Sequence, residues 1–517
     1  MINEADYDAI IVGGGHNGLV TAWYLARGGL SVLLLEHRDI LGGACITEEL
    51  IPGYRFSACS YICHLLQAQV IDDLELRRHG FEVFHLDPNH FHPFPAGRGM
   101  LIWDDIARTQ DEIARFSKHD AKAYPRWLEF WENAAGIIYR HFLKPPPTMA
   151  ELSAEVRGTA EEPVLEQLLT GNMRTIVTNF FENDAVQGAF IQAQDVGDVR
   201  APGSALCYAH IKCNAFSKPE NLGVVKGGMG GITQAMARAT RELGVDIQTN
   251  TTVSHIIIEQ SKAHGVVLSN GTHIRSRIVI SNADPKRTFL HLIRSEDLEN
   301  TFVHAVKRLK TNTAYLKFHA ALSDLPDFSA HLEHDTGPHT LAAIKICPSI
   351  EYYERSWKDA KNGRPSQSPI MEVQIPSVYD PTMAPAGHHV LSIWVMYAPV
   401  HLCDGTWEDR RTEVGEHLID TLTEYAPNFR DVIVDWDLFT PPDISSRVGM
   451  TDGNIRHLDI VPGQYLAQRP MAGWSNYRTP LHGLYLCGAG THPGGEVTGA
   501  PGHNAAHVIL EDWERVS

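Results

Sequence analysis

The chain has 517 residues, 43% hydrophobic and 21% charged, an ordinary balance for a globular protein long enough for two connected domains. A formal net charge of −18 argues against nucleic acid as a partner and against broad attraction to anionic lipid surfaces, while leaving room for a local apolar patch that touches a membrane transiently. No run reaches the ~18 apolar residues that span a bilayer, and the acidic start (Glu4, Asp6) leads at once into an apolar strand, so the expectation is no signal peptide and a cytoplasmic address.

Residues 8–12, Asp-Ala-Ile-Ile-Val, predict a short buried strand that runs into a glycine-rich turn. An amphipathic run over 19–26 predicts a helix, closed by Gly28 and Gly29, and residues 32–35 predict a second strand ending on Glu36. Gly13, Gly15 and Gly18 stand at G-x-G-x-x-G spacing within this βαβ unit. Gly13 suits the tight turn, Gly15 lets backbone approach a pyrophosphate, and Gly18 lets the helix sit close on the strand. The helix N-terminus favours a diphosphate. Glu36 at the strand tip can accept from a ribose with free hydroxyls, whereas a 2′-phosphate is repelled there.

Residues 36–43, Glu-His-Arg-Asp-Ile-Leu-Gly-Gly, resemble the acid-then-Gly-Gly motif of FAD enzymes related to amine oxidases and phytoene desaturases. Residues 44–49 and 52–57 are similar to the phytoene-desaturase-like branch of FAD-dependent oxidoreductases, and within it to the group labelled pyridine nucleotide-disulfide oxidoreductase domain-containing protein 2. The resemblance implies an α/β fold: a Rossmann-type, glutathione-reductase-like FAD-binding domain beside a mixed sheet-plus-helix substrate domain. It implies FAD held by Gly13, Gly15, His16, Asn17 and Gly18, by Glu36, His37 and Arg38, and by Gly42, Gly43 and Ala44. Many relatives carry arginine directly after the Gly-Gly pair, where it helps to hold the pyrophosphate; here Ala44 stands in that place.

Further along, the resemblance places residues 57–69 beside the flavin, and strands predicted over 80–86 and 100–103 open the second domain. Residues 106–170 change to a helical period. Trp127, Trp131, Ala134, Ile138 and Phe142 share one face, read first as a core-packed helix and second as a lipid-touching or tunnel-lining one. The Gly-Gly-Met-Gly-Gly run at 227–231 starts a helix over 232–243, which the resemblance reads as the return of the chain into the FAD domain. Strands are predicted over 245–250, 253–258 and 278–281, with a hairpin over 266–274 turning at Asn270-Gly271. In related flavoproteins a residue in the position of Val253 pairs its backbone with the adenine. Residues 314–322 and 390–397 predict strands of a sheet that walls a substrate pocket. The expected domain segments are 1–75, 221–288 and 451–517 for FAD, with 76–220 and 289–450 for substrate.

Residues 484–500 read as a strand, a glycine-rich loop and a helix start, similar to a C-terminal segment of phytoene desaturases. That similarity implies Gly488, Gly490, Glu496 and Val497 near the flavin, and makes His492, Glu496 and His503 the catalytic candidates, with Tyr61 and His64 behind them. His492 as a loop turn and Glu496 as a helix cap are the structural alternatives. None of the eight cysteines forms C-x-x-C, so no disulfide-reductase dithiol is present, and Cys45 and Cys487 read as plain buried thiols. The 28 histidines show no zinc spacing, and no metal is expected. The implied function is an FAD-dependent dehydrogenase or desaturase that takes hydride and proton from a hydrophobic, polyene- or lipid-like small molecule, with hydride transfer to flavin N5. The alternatives are a flavin amine oxidase, an NAD(P)H-reduced isomerase or saturase, and a non-catalytic flavoprotein module.

Overall fold

A strand that is apolar at every position, as Ala9, Ile10, Ile11 and Val12 are, suits the middle of a parallel sheet covered on both faces. In the computed structural model, which describes residues 6–332 and 336–516, Tyr7–Val12 takes that central place; residues 1–5 of the acidic N-terminus lie outside the described residues. It pairs in parallel with Val32–Leu35 on one side and His273–Ser281 on the other. Asp246–Gln248 extends the sheet beyond the first neighbour and Leu484–Leu486 beyond the second, both in parallel. The register sets Val12 opposite Leu35 and Ser281, and Ser281 opposite Leu486, so the carboxyl ends of the strands finish together. The helices His16–Arg27, Gly230–Glu242 and Ala500–Val516 pack together beside this sheet. The first and last cross closely at Gly502, where a Cβ would sit 2.3 Å from the Asn17 carbonyl. Val253–Glu259 and Lys262–Leu268 form an antiparallel meander with the first half of His273–Ser281. Its turn holds Asn270, whose side chain accepts from the Thr272 N–H at 2.9 Å.

A second, mixed sheet runs in the order Ile433–Phe439, Ala314–Leu322, His389–Ala398, Ile370–Gln374, Ala343–Ile346, His90–Phe94, Arg98–Ile102. Phe289, Phe302, Val306 and Leu309 belong to the core of the first sheet, so the chain crosses to the second after residue 309. Every residue of Ala314–Leu322 is buried, but its two faces differ. Leu316, Phe318, Ala320 and Leu322 meet Trp407, Val414 and Leu418 of the helix Trp407–Thr423. Tyr315, Lys317 and His319 turn toward the other domain. His319 bonds the Ala58 carbonyl at 3.2 Å, and the Lys317 ammonium lies 5.7 Å from the Tyr61 ring.

The helices of residues 106–216 cover one end of the second sheet. The long helix Lys118–Tyr139 buries its aromatic face completely: Trp127 is 1% exposed and packs its ring 5.2 Å from Phe181 and 5.3 Å from Trp131. Trp131, Ala134, Ile138 and Phe142 join the same core. The reading of this face as lipid-touching is thereby corrected, because other helices already cover it. No described helix is long and apolar enough to cross a membrane.

Candidate active site

Parallel α/β sheets bind ligands at the carboxyl ends of their strands, and a cavity of about 470 Å³ opens there, running from the first glycine turn to the inner face of the second sheet. Gly13, Gly15, His16 and Asn17 line it. Gly13 holds φ +103°, which L side chains rarely adopt. Gly18 is not on the wall; a Cβ there would lie 2.3 Å from the Gly13 carbonyl, so its part is the close fit of helix on strand.

Glu36, 4% exposed, lines the cavity at the tip of its strand. Its carboxylate accepts from the Gly14 N–H at 2.8 Å and the Arg38 N–H at 3.0 Å, and the His37 ring stands 2.8 Å away. Burial works to raise its pKa, but the His37 ring and the two N–H groups outweigh it and hold the carboxyl ionised. His37, Arg38, Gly42, Gly43 and Ala44 continue the wall, and Val253 stands on it beside Thr251 and Thr252.

With alanine at position 44, Arg287 and His457 reach the same wall from distant segments. Arg287 Nε and His457 Nδ1 are buried without a hydrogen-bond partner, as are His16 Nε2, Asn17 Oδ1, Arg38 Nη1 and Ser60 Oγ. These six of the eleven such atoms among the described residues all belong to residues that line this one cavity. Buried polar groups are normally paired, and their chemistry fits FAD. Arg287 and His16 are donors suited to a pyrophosphate, Glu36 is an acceptor suited to ribose hydroxyls, and the helix N-terminus faces the turn.

The C-terminal loop divides. Ala489, Glu496 and Val497 line the cavity, whereas Gly488 and Gly490 do not. A Cβ at those glycines would lie 2.7 Å from the Asn282 carbonyl and 2.4 Å from Pro285, so both serve packing. His492 and His503, expected beside the flavin, are also off the wall. His492 is buried, with Nε2 2.7 Å from the His141 carbonyl, and His503 packs edge-on against Tyr24 with Nδ1 on the Asn504 side chain. His492 is held by the turn that follows the helix Lys118–Tyr139, and His503 by its own helix and by Tyr24 of the first one.

Glu496 alone of the three candidates reaches the cavity, from a left-handed backbone at φ +68° that non-glycine residues rarely hold. Arg456, 2% exposed, grips it through Nε at 2.9 Å and Nη2 at 2.5 Å, and also donates to Asp195 at 2.7 Å and Gln194 at 2.5 Å. Burial raises the Glu496 pKa and Arg456 more than reverses it, so the carboxylate stays charged. His64 Nε2 stands 3.7 Å from its other oxygen.

Beyond Glu496 the wall passes to side chains that sequence patterns did not single out: Phe190, Tyr208, Lys212, Lys345, Glu372 and Trp394. Trp394 stacks on Tyr315 at 4.5 Å, with Tyr61 5.8 Å away. Burial pushes the Glu372 carboxyl up to about 7 against the pull of Lys345, and lowers Lys212 to about 8. The only signal for these residues was charge within apolar strands, as at Lys345 and Glu372.

An NAD(P)-binding Rossmann-like domain model matches residues 11–74. The chain is 35% identical to pyridine nucleotide-disulfide oxidoreductase domain-containing protein 2 of Mus musculus, over 99% of this chain and 95% of that one. It is 27% identical to a limonene dehydrogenase polypeptide of Castellaniella defragrans (98% and 94% covered) and 26% identical to phytoene desaturase of Fusarium fujikuroi (97% and 88%). In fold it matches an oxidoreductase from Methanosarcina mazei at TM-score 0.59 and 17% identity, covering 97% and 99% of the two chains. It also matches cyclohexylamine oxidase from Brevibacterium oxydans at 0.57 and 15%, covering 99% and 100%. With more than a third of its residues shared along nearly the whole of both chains, the protein belongs to the pyridine nucleotide-disulfide oxidoreductase domain-containing protein 2 family, among the phytoene-desaturase-like FAD-dependent oxidoreductases.

Proposed function

We propose that the protein is a dehydrogenase or desaturase that removes a hydride and a proton from neighbouring carbons of a hydrophobic, lipid-like substrate and leaves a double bond. The observation that carries this reading is the single cavity that joins the Gly13 turn and Glu36 to the apolar surfaces of Phe190, Tyr208, Ile211 and Trp394. Bound FAD supplies the two-electron acceptor for the hydride. The aromatic walls position an apolar carbon chain and exclude water from the reacting carbons.

The proton goes to His64. Its Nδ1 lies 3.3 Å from the Ile62 carbonyl, which assigns the N–H to that atom and leaves Nε2 free to accept. Burial lowers its pKa, with Glu496 opposing, so the ring is neutral before the step. Glu496, kept ionised by Arg456 and 3.7 Å from Nε2, stabilises the imidazolium that forms. Relatives named for limonene dehydrogenation and phytoene desaturation support an apolar substrate. The Tyr61–Trp394 pair at 5.8 Å is the feature that favours an amine oxidase instead, but Lys212 and Lys345 on the same wall disfavour a cationic amine.

The test is to follow the visible band of the FAD-loaded protein anaerobically while adding a lipid extract, an amine pool or NADPH separately. Bleaching by lipid alone is the expected result. Bleaching by amines moves the protein to the oxidase class, and bleaching by NADPH moves it to the isomerases or saturases. His64→Gln should slow lipid-driven bleaching about 10²–10⁴-fold with flavin content unchanged; an unchanged rate removes His64 from the step.

A further inference from the structure

Lys345, 2% exposed, donates from Nζ to the carbonyls of Ala189 at 3.0 Å and Ile191 at 3.1 Å. An ammonium has three donors, so one remains for the cavity it lines. Glu372, 4% exposed, lies directly across the strand pair from Lys345, yet neither of its oxygens meets a lysine. One accepts from Gln192 at 3.5 Å and the other is 4.0 Å from His90 Nε2. Lys212 and Asn214, both only partly buried, line the cavity together, with the Lys212 Nζ over the Tyr208 ring at 5.1 Å. Among the described residues Lys212 has no hydrogen-bonded or ion-paired partner.

Burial keeps His90 and His92 neutral. This end of the cavity therefore holds two ammonium groups against one carboxylate, in a chain whose net charge is −18. Farther in, Asp195 and Glu496 are two carboxylates that share Arg456, with a second buried cation, Arg469, near Asp195, so that group is balanced within itself. Secluded charges are stable when paired, so the excess cation selects one negative charge. A dianionic phosphate would confront Glu372, and no arginine with its bidentate fork stands among these groups. A carboxylate satisfies the balance.

We infer that the substrate is an amphipathic carboxylic acid. Its carboxylate sits between Lys212 and Lys345, and its apolar body runs past Phe190, Tyr208 and Trp394 toward Glu496. The inference rests on the reading of this cavity as the substrate site.

The experiment titrates the FAD-loaded protein with oleate, methyl oleate and oleyl alcohol at submicellar concentrations and reads the shift of the flavin spectrum. Oleate should bind about tenfold tighter than the ester or the alcohol. Lys212→Met should erase that preference while retaining its flavin, and Glu372→Gln should tighten oleate alone. The pH dependence has a definite sign. Lys212 loses its charge above about 8 and Glu372 gains one above about 7, so oleate affinity should fall as pH rises through that interval. The other titratable groups around them are Tyr61, His64, His90, His92, Tyr208, Lys345 and Cys347. Equal binding of the three lipids with the flavin shift intact, or a preference that survives Lys212→Met, overturns the carboxylate assignment and leaves the substrate-site reading standing. No flavin response to any of the three overturns both.

Discussion

The two ends of the cavity are built in different ways. At the Gly13 end, the wall is set by the glycine turn, by Glu36 at the tip of the next strand and by the pair Gly42 and Gly43, all within some thirty residues, with Val253, Arg287 and His457 added from farther along the chain. At the Glu372 end, it is almost entirely side chains, drawn from helices and strands more than a hundred residues apart. A backbone site imposes a strict local spacing, because one misplaced Cβ closes it. A side-chain site needs only that a sheet face and a helix meet, so its composition can drift freely.

The sharpest way to break this contrast is at the seam, where Arg456 joins Asp195 and Glu496. Arg456→Met strips buried Asp195 and partly buried Glu496 of their shared cation and should cost about 3–5 kcal/mol, read as a lowered denaturation midpoint; an unchanged midpoint would mean that the seam is held by packing alone. At the backbone end, Gly18→Val forces its side chain into the Gly13 carbonyl and should weaken FAD binding about 10–100-fold, measured by flavin retention. Retention equal to the parent protein would show that the helix can yield. The smallest expected effect is at Arg287. If it supplies the pyrophosphate contact that Ala44 lacks, Arg287→Met should weaken FAD about tenfold and make the affinity less dependent on salt.

Particular residues show where sequence reasoning stops. Glu36 was legible because an acid at the tip of a second strand follows directly from the βαβ spacing, and the structure places it on the wall. Gly488 and Gly490 were expected near the flavin from resemblance alone, yet they pack against Asn282 and Pro285, while Ala489 between them lines the cavity. His492, Glu496 and His503 lie within twelve positions of one another, but only Glu496 turns inward. Arg287 gave no signal, because its place on the same cavity wall as the Gly-Gly segment arises from folding.

The sequence by itself determined the first βαβ unit, its glycine turn and the acid at the tip of its second strand, because each depends on contacts within some forty residues. Only the tertiary structure decided which charged groups share the far end of the cavity. Ala314–Leu322 is buried at all nine positions, so alternation cannot tell its two faces apart. Lys345 and Glu372 face each other only because two separate strands pair in that register.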